Sequence, residues 1–239
     1  GMTPEAAGAA TQQLWGDGLA ICGAIIAVLA PVLGAIADNT GRRLVWIWLF
    51  SGCYMAGAWG LWFLMPAQPD LILAVAFFGL GLIGMEFATI FTNALLPGLA
   101  PRDEIGRLSG SGFAFGYLGG VVALAVMLLF FVENAQTGRT LLGIPPVLGL
   151  DAALREGTRA AGPFTALWYL VFMIPFALWV PETPGPRRPL RLGAAMAQLW
   201  ALLASLPRRP SLSAWLASSM LARDALNALY TFGGVFAGT

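Results

Sequence analysis

Apolar residues run along this chain in long unbroken blocks; they do not alternate with polar ones. Residues 19–37, 44–65, 108–132 and 163–180 hold no charged side chain, residues 71–96 hold one, Glu86, and residues 211–239 hold the pair Arg223 and Asp224. Crossing a hydrocarbon core of roughly 30 Å takes about 20 residues of helix. Six blocks of that length predict six transmembrane helices, because a backbone in lipid must satisfy its own hydrogen bonds and a helix does so within one segment. The fold class expected is all-α, a polytopic transmembrane helix bundle. Two connections are longer than tight loops. Residues 133–162, with Pro145-Pro146 in the middle, predict an external loop with a short helix near 151–159. Residues 184–210 are bracketed by arginines, and Leu192, Met196, Leu199, Leu203 and Leu206 recur there at helical spacing beside Trp200. That segment reads as an amphipathic helix on the inner membrane surface, or equally as a linker helix packed on the bundle.

Composition agrees with the blocks. Of 239 residues, 58% are hydrophobic and 10% charged, against about 25% charged in a soluble domain. So little charge cannot cover a water-facing surface. Formal net charge is +1, which gives no ground for a nucleic-acid partner. The chain has no His, so the commonest general base and metal ligand is missing; neither metal nor cofactor is expected. Cys22 and Cys53 lie inside apolar blocks and read as buried thiols. All 13 basic residues are Arg. Nine of them (Arg42, Arg43, Arg102, Arg107, Arg187, Arg188, Arg191, Arg208, Arg209) fall in alternate connections, against Arg139, Arg155 and Arg159 on the other side. The excess places the turn at 38–43, the turn at 97–107 and the 184–210 segment in the cytoplasm. The first residues then lie outside without a cleavable signal, and the last block stops without a flanking anchor. Both ends are therefore expected to be cut from a longer chain.

The intramembrane charges are the candidates for function, since an ionisable group near the bilayer centre costs about 2.5–3.5 kcal/mol on insertion scales. Glu86, Thr89 and Asn93 fall on one helical face at i, i+3 and i+7, and Asp224, Asn227 and Thr231 repeat the spacing. Glu86 lies roughly 22 Å and Asp224 roughly 20 Å into their helices at 1.5 Å per residue, so both sit near mid-depth. Either they face an aqueous cavity, with Arg223 binding substrate or holding Asp224, or they are interhelical hydrogen-bond glue. Gly79, Gly81 and Gly84 match a dinucleotide fingerprint by letters alone, with no preceding strand, and are set aside. Gly112, Gly116 and Gly120 recur every four residues and predict a flat face for close helix packing.

Residues 34–43 read Gly-Ala-Ile-Ala-Asp-Asn-Thr-Gly-Arg-Arg. A plain turn needs only the glycine and the arginines. The whole pattern, with Gly34, Asp38, Gly41, Arg42 and Arg43, resembles the cytoplasmic signature of the major facilitator superfamily, although Asn39 stands where a basic residue is common. Residues 91–101 (FTNALLPGLAP), 104–110 (EIGRLSG), 116–120 (GYLGG), 180–182 (VPE), 224–227 (DALN) and 232–234 (FGG) look like the vacuole-effluxer branch of that superfamily. Tyr117 stands where the superfamily's exchanger signature has Pro, so exchange is not implied. The resemblance implies helices two to seven of a twelve-helix protein: residues 1–182 in a first bundle, 183–210 a cytoplasmic linker, and 211–239 the first helix of a second bundle. It implies a secondary transporter working by alternating access, with Glu86, Asn93, Arg223, Asp224 and Asn227 at a substrate or proton cavity and residues 34–43 at a cytoplasmic gate. The expected partners are a small-molecule substrate, an amino acid or similar metabolite moved outward, a coupling proton, membrane lipids and the rest of the same chain. The expected location is a bacterial cytoplasmic membrane. A non-transporting scaffold or sensor is the main alternative. A lipid enzyme is disfavoured, there being no nucleophile-base pair or acidic cluster, so no enzymatic activity is expected.

Overall fold

The computed structural model describes residues 4–65, 70–181 and 192–237. Among them the regular structure is helical, and no β-strand occurs. The helices are α1 (Pro4–Thr40), α2 (Arg43–Gly60), α3 (Leu71–Asn93), α4 (Leu96–Leu99), α5 (Ile105–Val126), α6 (Glu156–Arg159), α7 (Ala161–Trp179), α8 (Leu192–Ser205) and α9 (Pro210–Ala237). Five helical stretches are long and apolar enough to cross a membrane: Gly8–Ala37, Arg43–Phe63, Leu71–Leu99, Ile105–Phe131 and Glu156–Trp179. The chain is an integral, multi-pass membrane protein. The sixth expected span is one continuous helix, α9, but it is not among those five; Arg223, Asp224 and serines 211, 213, 218 and 219 dilute its apolar character.

The chain divides into two compact units, Gly1–Leu190 and Arg191–Thr239. In the first unit α1 is the surprise. It is 37 residues long, about 55 Å at 1.5 Å per residue, and starts 15 residues before the apolar block at Leu19. Pro4–Gly18 is rich in Ala and Gln, good helix formers, so the helix continues past the point where apolarity ends. Block length measures membrane thickness; it does not measure helix length. The N-terminus of α3 is set by Asp70, whose Oδ1 accepts the Leu73 N–H at 2.9 Å, an N-cap. The loop at 133–162 holds one 3₁₀ turn, Val147–Gly149, and only one turn of α-helix, α6, shorter than the helix expected at 151–159.

Helix α3 is clamped between α2 and α1. On the α2 side the backbones nearly touch. A Cβ placed on Gly57 would lie 2.4 Å from the Gly81 nitrogen, and one on Gly84 would lie 2.5 Å from the Tyr54 nitrogen. On the other side Gly18 meets Val75, and Gly79 meets the Cys22 sulfur. Below these crossings Ala37, Ile47, Phe87 and Phe91 form the buried core, with the Phe50 ring tilted against Phe87 (4.7 Å) and stacked on Phe91 (5.9 Å). Helix α7 joins α2 at Gly162, where a Cβ would lie 2.2 Å from the Ala58 carbonyl oxygen, and through a 2.7 Å hydrogen bond between the Ser51 and Tyr169 hydroxyls. In the second unit α8 carries exposed Trp200, Leu202 and Leu203, and a 3₁₀ turn, Leu206–Arg208, leads to α9, where the Ser213 hydroxyl donates to the Arg209 carbonyl at 3.0 Å.

Gly57→Ala and Gly84→Ala in the full-length protein should each lower the thermal midpoint in detergent, with an overpacking cost of about 1–3 kcal/mol. Gly52→Ala, whose Cβ would meet nothing within 4 Å, should be neutral or slightly stabilising. Equal midpoints for the three variants would mean that the α2–α3 backbone contact does not exist.

Candidate functional site

The 34–43 segment forms the end of α1 and the turn into α2. Asp38 lies in the last turn of α1; its side chain is outside the described residues. Gly41 has φ +65° and donates its N–H to the Ala37 carbonyl at 3.1 Å. This is the left-handed stop that glycine adopts without strain. Gly34 sits within α1, and a Cβ there would meet nothing within 4 Å. Arg42 is exposed. Arg43 has a specific partner. Its Nη1 donates to the Ala94 carbonyl at 2.8 Å, at the C-cap of α3. A cation there satisfies an orphan carbonyl and meets the negative end of the helix dipole. The motif thus ties the α1–α2 turn to the end of α3, next to Asn93.

Along α3, Val75, Gly79, Glu86 and Asn93 share one stripe. At 100° per residue that stripe lies about 180° from the glycines that meet α2, on the side where α1 crosses at Val75 and Gly79. Glu86 is half-buried two turns below Gly79, while Thr89 and Asn93 are exposed. Among the described residues the Glu86 carboxylate has no hydrogen-bond or ion-pair partner. Arg223 and Asp224 belong to the second unit, both exposed on α9, and form no ion pair among the described residues; the Asn227 side chain is outside them. Gly112, Gly116 and Gly120 lie on α5 with nothing within 4 Å of a Cβ at any of them. The flat face exists, but no described helix packs on it. The glycines that do pack closely include Gly81 and Gly84, from the fingerprint-like run, together with Gly57.

A second polar cluster lies at the opposite end of this unit from Arg43, and sequence reasoning missed it. Glu133, 2% exposed, follows the π-helical turn Met127–Phe131 that ends α5. Its carboxylate accepts from the Thr158 hydroxyl (2.7 Å) and N–H (3.1 Å) and pairs with Arg155 Nε (3.1 Å). Gly157 is required between them, since a Cβ there would overlap the Phe131 carbonyl. Arg155 itself takes the left-handed conformation, φ +54°. Arg159 donates Nε to the Trp62 carbonyl at 3.0 Å and Nη2 to the same oxygen, and stands 4.9 Å over the Trp62 ring. One loop therefore clasps the ends of α2, α5 and α7. Its residues are 25 positions apart (158 − 133), and no periodicity marks such a spacing.

These features define a polytopic helical membrane protein whose charged residues gather at helix ends, with a few inside the spans. Residues 18–239 match the family described as vacuole effluxer Atg22-like, and the chain belongs to it. It is 28% identical over 161 residues to the uncharacterised MFS-type transporter YxiO of Bacillus subtilis, covering 66% of this chain and 34% of that one. It is 31% identical over 83 residues to autophagy-related protein 22-1 of Aspergillus niger, covering 35% of this chain and 11% of that protein. It is 27% identical over 85 residues to autophagy-related protein 22 of Yarrowia lipolytica, covering 36% and 12%. The matched part spans about a third of the bacterial relative's length and less of the fungal ones. No solved structure matches.

Two substitutions test this geometry in the full-length protein. Arg43→Ala should cost about 1.5–3 kcal/mol, the worth of a hydrogen bond to a charged group, read as a lower thermal midpoint, with Arg43→Lys recovering part of it; an unchanged midpoint for Arg43→Ala would remove the tie to α3. Glu133→Ala should loosen the clasp, so that trypsin cleaves after Arg155 faster than in the wild type. Identical digestion of the two proteins would mean that Glu133 holds nothing.

Proposed function

We propose that this chain is part of a secondary transporter of the major facilitator type that moves a small metabolite across a membrane by alternating access. The observation that carries the reading is Glu86: a carboxylate at mid-span, on the α3 face turned away from α2, with no partner among the described residues. Intramembrane carboxylates are rare and serve substrate or proton pathways. The names of the relatives, an MFS-type transporter and a vacuole effluxer family, support the class and suggest the outward direction. The substrate we propose is an amino acid, the class that the family resemblance implies, with a proton as the coupling ion at Glu86. Asn93 is the other candidate on α3, and Arg223, Asp224 and Asn227 are the candidates that α9 carries in its own unit. Residues 34–43 would act as the cytoplasmic gate; the Arg43–Ala94 bond supports this, because it joins the gate turn to the helix that carries Glu86. We place the protein in a bacterial cytoplasmic membrane, by the bacterial relative.

Full-length protein reconstituted in vesicles should accumulate or release radiolabelled amino acids when a pH gradient is imposed. Glu86→Gln should slow this at least tenfold and flatten its pH dependence, while Asp38→Asn should slow transport without reducing membrane insertion. A Glu86→Gln rate and pH profile equal to the wild type would make Glu86 packing glue. No flux of any amino acid would favour the scaffold or sensor reading.

A further inference from the structure

Beside the clasp, at the same end of the first unit, lies a cavity of about 300 Å³ that is partly open to the surface. Trp59 and Trp62 from the end of α2, Phe131 from the end of α5, Leu148 from the loop, and Phe164 and Leu167 from the start of α7 line it. The lining is aromatic and aliphatic, so it offers an ordered water few polar partners. The ends of three membrane-length helices form its walls, and tryptophans at such ends are enriched because their rings suit the headgroup level. At the rim the loop presents Leu148, 84% exposed and held at φ +64°, with Leu141 at 74% and Leu142 beside it in sequence. A leucine in the left-handed conformation is strained, and three exposed leucines on one loop are unfavourable in water. The second cost falls away if the loop dips into lipid. Charge points the same way. Arg159, whose neighbour Ala160 lines the cavity, has no carboxylate partner among the described residues, and its Nη1 has no acceptor. Glu133, the buried carboxylate of the clasp, is already engaged by Arg155 and Thr158. A guanidinium with an unused donor pairs readily with a phosphate oxygen.

We infer that this cavity is a phospholipid site: one acyl chain lies between Trp59, Phe164 and Leu167, and the phosphate is drawn to Arg159. The site is independent of the transport reading, and it would bind lipid whether or not the protein carries a substrate. It assigns a role to the loop at 133–162 beyond connecting α5 to α7, as a wedge seated in the leaflet on its side with one lipid held beneath it.

The test uses the full-length protein with p-benzoylphenylalanine at position 167, in vesicles of phosphatidylethanolamine and phosphatidylglycerol, irradiated either before or after a detergent wash and then read by mass spectrometry. The same probe at position 178, exposed near the other end of α7, reports ordinary surrounding lipid. Irradiation after the wash should still give a phospholipid adduct at 167, at least fivefold above that at 178, and Leu150→Trp, which fills the cavity, should abolish the excess. Equal adducts at the two positions would mean surrounding lipid only. A crosslink from 167 to another part of the same chain would make the cavity an intramolecular dock. Either result, or no adduct at 167, overturns the proposal.

Discussion

The first unit depends on the close approach of α2 and α3. In lipid, burying apolar side chains gives little drive to helix association, because the surrounding tails are just as apolar; van der Waals contact and hydrogen bonds must do the work. Gly57, Gly81 and Gly84 remove the side chains that would keep the two backbones apart. The consequences run down the helices. The approach sets the register in which Phe50 packs on Phe87 and Phe91, and it brings the start of α2 close enough to the end of α3 for Arg43 to reach the Ala94 carbonyl. A single methyl group at Gly57 would disturb all of these together.

Charge is used differently from packing in this unit. The membrane-depth contacts are aromatic rings, glycines and one hydroxyl pair, Ser51 with Tyr169. The two ends are fastened by arginines that donate to backbone carbonyls: Arg43 to Ala94 at one end, Arg159 to Trp62 at the other. Both bonds cap the C-terminal end of a helical stretch, where carbonyls have no partner of their own. A guanidinium suits this task because it keeps its charge at any accessible pH and offers several donors. Of the two kinds of basic residue, this chain uses only arginine.

Much of this was legible in the sequence, and the failures have physical reasons. Apolar block length located all five membrane-length helices of the first unit, because lipid forces that length. It missed the first fifteen residues of α1, since Ala-rich polar sequence is helical without being apolar. Glycine spacing suggested the wrong packing face. The regular Gly112, Gly116 and Gly120 lie open on α5, while the discounted run at 79–84 supplies the close contact, because spacing says which glycines share a face and nothing about what that face meets. Arg43 read as a positive-inside residue, and its partner lies 51 positions away. The clasp around Glu133 left no trace, because a carboxylate, an arginine in the left-handed conformation and a threonine separated by a loop follow no period. The family resemblance rested on short local stretches, which is why it held while these long-range contacts were invisible.

The placement of Glu86 follows from the same glycine contact. A helix that packs through glycine on one face has its long side chains on the other faces, and on α3 the stripe opposite the glycines carries Glu86 and Asn93. That stripe is also where α1 crosses, at Val75 and Gly79, so the carboxylate lies along the α1–α3 seam two turns below a close contact. A charge on the α2 side would have to fit between two backbones with no room even for a methyl group. A charge on the α1 side has room, because below the Gly79–Cys22 contact the seam is closed by side chains, with no second pair of facing glycines. The sequence can therefore keep an ionisable group at mid-span without disturbing the contact that holds the bundle together. Tight packing and a free carboxylate occupy opposite faces of one helix, and the end of that helix is tied by Arg43 to the turn at residues 38–43.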